Sequence, residues 1–83
     1  MKRFIGIDLH TTQITVCYLN EDGSYQHKLF GIGDLKSFKV GLSQNDHVAF
    51  EATGNSNFLY RELKGLVSTI RVVNTKKFKV CSI

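Results

Sequence analysis

The feature that most constrains this chain is a change of hydrophobic period near Asp34. Before it, apolar side chains alternate with polar ones, the two-residue period of strands. Residues 3–9 (Arg-Phe-Ile-Gly-Ile-Asp-Leu) and 12–19 (Thr-Gln-Ile-Thr-Val-Cys-Tyr-Leu) are β-rich runs. Asn20-Glu21-Asp22-Gly23 is a turn signal, and residues 24–31 return as a third strand. After Asp34 the period becomes helical. Asp34 is placed to cap a helix running to about residue 42, with Leu35, Phe38 and Leu42 on one face. A fourth strand is predicted over 47–52, a loop over 53–55, a helix over 56–66 and a fifth strand over 68–73. In that second helix Leu59, Leu63 and Leu66 share a face opposite Arg61 and Lys64. Thr75 opens a further helical stretch. The order β-β-β-α-β-α-β, with right-handed crossovers, predicts an α/β fold. With strands one and four as parallel neighbours, the sheet would be mixed and five-stranded, in the order 3-2-1-4-5, with strand two antiparallel to its neighbours.

With 83 residues this is one domain, 1–83, with a small core. Hydrophobic residues at 42% and charged residues at 22% exclude a disordered or fibrous chain. Apolar runs of three or four residues are too short to span a membrane, and Asp8 and His10 interrupt any signal-like stretch. Cys17 and Cys81 make neither a disulfide framework nor a metal-type spacing, so a reduced, cytoplasmic chain is expected. The net charge of +4 permits phosphate contacts.

Two acids stand out. Alternation puts Phe4, Gly6 and Asp8 on one face of the first strand, and Ile5, Ile7 and Leu9 on the other. Glu51, after Val48-Ala49-Phe50, shares a face with His47 and Ala49. Both acids lie near the carboxyl ends of strands, where open α/β sheets bind ligands. On neighbouring parallel strands the two carboxylates can meet, and a cation between them relieves their repulsion. Mg²⁺ or Mn²⁺ is the natural occupant, held loosely with water in the remaining positions. Each acid alone has a plainer use as an exposed strand-end residue. His10 is read as a strand end, and His27 and His47 have no evident partner.

The strings Phe4-Ile5-Gly6-Ile7-Asp8-Leu9-His10, Ile14-Thr15-Val16 and Val48-Ala49-Phe50-Glu51-Ala52-Thr53-Gly54-Asn55, with Val72-Val73-Asn74 before a lysine-containing segment, resemble the DEDD-type insertion-sequence transposases. This is the group related to the Piv DNA invertase. The resemblance implies the amino-terminal, RuvC-type part of a ribonuclease H-like catalytic domain. It implies DNA, possibly with RNA, as the partner, and metal-dependent phosphodiester cleavage and strand transfer as the chemistry. Asp8 and Glu51 would be the first two of four metal-binding acids. The family's two later aspartates have no counterpart, since no Asp or Glu follows Glu62. Its carboxy-terminal domain, with a serine implicated in strand transfer, has none either. The chain therefore reads as an incomplete ribonuclease H-like domain, inactive alone.

Thr53, Gly54 and Asn55 lie between strand and helix, where backbone N–H groups can face a phosphate. Lys76, Lys77 and Lys79 form a cluster that suits either phosphate contact or a solvated helix face. Ile5 to Thr12 also resembles the first phosphate loop of actin-like ATPases and sugar kinases, although His10 crowds the place where that loop favours glycine. A non-catalytic α/β interaction module is the third reading. A homodimer is expected, through the apolar stub Phe78, Val80, Cys81 and Ile83 in preference to the alternative, the open edge of strand three near Tyr25 to Phe30.

Overall fold

A computed structural model describes residues 2–51 and 56–73. Its elements follow the predicted order: β1 (Arg3–Leu9), β2 (Gln13–Asn20), β3 (Tyr25–Gly31), α1 (Leu35–Val40), β4 (Asp46–Glu51), α2 (Ser56–Leu63) and β5 (Thr69–Val73). The sheet order is β3-β2-β1-β4-β5. β2 is antiparallel to β1 and β3, while β1, β4 and β5 run parallel. The expected α/β class, five-stranded mixed sheet and strand order are therefore present.

The alternation in the strands decides which face is covered. Ile5, Ile7, Ile14, Val16, Val48 and Phe50 point to one side and are buried. Leu35 and Phe38 of α1, and Leu59 and Leu63 of α2, close over them in one cluster. Both helices thus serve the same sheet face, as successive right-handed crossovers moving in one direction require.

Several boundaries differ from the sequence reading for local reasons. Asp34 occupies the N-cap place of α1, yet its carboxylate makes no capping hydrogen bond. A 3-10 turn at Ile32–Asp34 precedes the helix, and the Leu35 N–H donates to the Ile32 carbonyl instead. α1 stops at Val40, where the Gly41 and Leu42 N–H groups bond three residues back, to Phe38 and Lys39. α2 stops at Leu63, not at residue 66. Gly65, with φ +87°, takes the left-handed conformation that turns the chain out of a helix. Leu66 still packs against the core from outside the helix. The β2–β3 hairpin turns through Gly23, φ +92°, with the Asp22 carboxylate accepting from the Ser24 N–H and hydroxyl at 2.8 and 2.6 Å.

The amino end of the sheet is fastened by a contact between β1 and β4. Asp46 is 1% exposed and receives Arg3 through Nε at 2.8 Å and Nη2 at 2.9 Å. The Ser43 N–H donates to the same carboxylate at 2.8 Å. The Arg3 guanidinium also lies over the Tyr18 ring, 4.8 Å from its centroid.

Burial pushes the Tyr18 phenol above its ordinary value; nearby Arg3 pulls it back by less. A raised folded-state pKa contributes stability that is complete below the unfolded value and is lost as pH rises through the folded one. Stability should hold up to about pH 10 and then fall, with part of the fall attributable to Tyr18. Urea midpoints taken from about pH 9 to about pH 11.5 on the native chain and on Tyr18→Phe check this. The variant should show a shallower alkaline loss; identical slopes would refute the assignment.

Candidate cation and nucleic-acid face

Among the described residues no helix packs on the other side of the sheet, and its side chains fall into three cross-strand rows. The first row is Tyr25, Leu19, Phe4, His47 and Thr69. The second is His27, Cys17, Gly6, Ala49 and Arg71. In the third, Leu29 pairs with Thr15, Thr15 with Asp8, and Glu51 with Val73. Ile7 pairs with Phe50 in the parallel β1–β4 ladder, so Asp8 and Glu51 occupy the next step of adjacent strands. Adjacent strands lie about 4.8 Å apart. Both acids therefore sit on the open face, at the carboxyl ends of the parallel strands.

Their surroundings are wet and polar. The Asp8 side chain is 48% exposed, and its Oδ2 lies 3.4 Å from His10 Nε2. His10 belongs to the tight β1–β2 turn, in which its N–H donates to the Gln13 carbonyl at 2.9 Å. Glu51 is half-buried and, among the described residues, makes no ion pair. Two oxygen-donor carboxylates side by side suit a hard divalent cation such as Mg²⁺ or Mn²⁺, with water or phosphate oxygens completing its shell. Among the described residues no cluster of three or more His, Cys, Asp and Glu side chains is gathered to enclose a metal. The face thus presents two carboxylates on neighbouring strands.

Comparison with protein-family profiles and with curated protein sequences gives no match.

The remaining residues singled out by sequence fall elsewhere. Thr53, Gly54 and Asn55, and Lys76, Lys77 and Lys79, lie outside the described residues, as does the apolar stub from Phe78 to Ile83. His47, which had no evident partner in the sequence, has two. Its ring stacks with Phe4 at 5.4 Å between centroids, and its Nδ1 lies 2.9 Å from Thr69 Oγ1. His27 meets Tyr25 edge-on at 5.7 Å. No helix among the described residues is long and apolar enough to cross a membrane.

Proposed function

We propose that the open sheet face is the DNA-contacting face of a transposase or recombinase catalytic domain of ribonuclease H type, acting in the cytoplasm. Asp8 and Glu51 are its cation ligands. The observation that carries this reading is their common register step on adjacent parallel strands, at the ligand-binding end of the sheet. Asp8, central and half-exposed, is placed to share cations. Glu51, from the neighbouring strand, is placed to hold one. When bound, paired Mg²⁺ ions supply activation of the nucleophile and stabilisation of the leaving oxygen in phosphodiester cleavage and strand transfer. The chain's own part is to orient two carboxylates on rigid strands and to leave room beside them for a phosphate. Two acids position a cation incompletely, and positioning is most of the catalytic effect in such sites, so the chain by itself binds DNA without cutting it.

Electrophoretic and anisotropy measurements with a short duplex test the reading. Affinity should be weak, should fall steeply with salt, and should rise in Mn²⁺ relative to EDTA for the native chain but not for Asp8→Asn. Affinity indifferent to the cation would contradict it. So would nicking in Mg²⁺ that is lost in Asp8→Ala, since the chain alone should not cut.

The homodimer is proposed through β3. Among the described residues its outer edge is unpaired in the sheet order, and Tyr25 and Leu29 of this strand are 66% and 61% exposed. Pairing there across a two-fold axis leaves Asp8 and Glu51 open. Light scattering should show a dimer that Leu29→Lys dissociates. A monomer at high micromolar concentration would refute it.

A further inference from the structure

The open face carries a groove of about 500 Å³ over its first two cross-strand rows. We infer that this groove binds an unpaired base of a DNA strand, stacked on Phe4, while Arg71 takes the adjoining phosphate. The inference rests on reading this face as the DNA face, but not on the cation. The floor of the groove is made by Gly6 and Ala49, whose missing or minimal side chains leave a trench across the middle of the sheet. Along one wall stands Phe4, 47% exposed, with its ring already stacked on His47. The contact between His47 Nδ1 and Thr69 Oγ1 fixes that imidazole, so the ring pair is a preformed platform. An aromatic ring with an open side, over a flat floor, accepts a planar base and gains little from a branched aliphatic side chain. Arg71 lines the far end, is exposed, and makes no ion pair among the described residues. A fixed positive charge at the end of a stacking platform is complementary to the phosphate that follows a base. Phe4 and Asp8 are four residues apart on one strand, about 13 Å at ~3.3 Å per residue, so one short strand reaches both platform and acids.

The full chain contains no tryptophan, so Phe4→Trp provides a single reporter at the platform. Titration with an octathymidine in EDTA and low salt should quench its emission. An abasic octamer of equal charge should bind without quenching and roughly 5- to 150-fold more weakly, the range of one stacked base. Phe4→Ala should bind both oligomers alike. A second readout keeps the native Phe4: in a Cys81→Ser background, octathymidine should slow alkylation of Cys17, which lines the groove. Equal binding of the thymidine and abasic octamers by the native chain would overturn the inference. So would quenching by an octauridine but not by octathymidine. A reporter that responds only after residues 75–83 are removed would make the chain's own segment the occupant, and a reporter that responds only to protein concentration would make it a second copy; either result overturns the DNA assignment. Because no divalent cation is present, failure here leaves the Asp8–Glu51 reading standing, and failure of cation binding leaves this one standing.

Discussion

Arg3→Met should lower the unfolding free energy by about 3 kcal/mol, at the low end of what breaking a buried ion pair costs. The Asp46 carboxylate is 1% exposed; among the described residues, without the guanidinium it keeps only the Ser43 N–H as a donor. Methionine retains most of the aliphatic stem but loses the guanidinium over Tyr18, so the loss measures the missing charge, hydrogen bonds and ring contact more than missing bulk. Asp46→Ala should cost less, because the Arg3 side chain is already 30% exposed and can turn to water. The double variant Arg3→Met with Asp46→Leu should recover much of the loss, since a buried pair replaced by apolar groups is often neutral. A domain of this size has about 4–12 kcal/mol in all, so the Arg3→Met effect should be plain in urea midpoints. A loss below about 1 kcal/mol would mean that the pair is held by the fold without holding it.

That pair also marks the limit of what the sequence discloses. Alternation in β1, β2 and β4, and the i, i+3 and i+7 spacing beginning at Leu35, specify element types and the inner face. The right-handed crossover makes the last two strands parallel, while the order 3-2-1-4-5 is expected from the ribonuclease H-like resemblance. Asp46 was beyond this reasoning. It lies one residue outside the predicted fourth strand, and its partnership with Arg3 exists only once the β1–β4 register sets them opposite. His47 is similar: its two contacts, with Phe4 and Thr69, come from strands on either side. Helix ends were misplaced where backbone geometry decides the matter, as Gly65 does for α2. The acids at Asp8 and Glu51 were legible because each interrupts an apolar strand, and a period of two fixes the face of each independently of the other.

Substituting both acids should abolish divalent-cation binding on this face while leaving the fold intact. Asp8 is half-exposed on the uncovered side of the sheet, Glu51 is half-buried beside it, and neither belongs to the buried cluster that holds the helices. Asn and Gln preserve shape and remove the charge that a hard cation requires. Removing one carboxylate should weaken binding severalfold or more; removing both should leave only nonspecific contacts. Loss of folding in the double variant would show that the acids are structural. The far-ultraviolet circular dichroism and urea midpoint of Asp8→Asn with Glu51→Gln should therefore stay close to those of the native chain.

A Mn²⁺ titration followed by amide NMR is the most direct measurement. Paramagnetic broadening should begin at Asp8, Glu51 and their row neighbours Thr15 and Val73, spread next to the turn at His10, and reach α1 and the β2–β3 turn last. It should be absent at the same Mn²⁺ concentration in Asp8→Asn with Glu51→Gln. Broadening centred elsewhere, or surviving the double substitution, would contradict a cation site at the ends of β1 and β4.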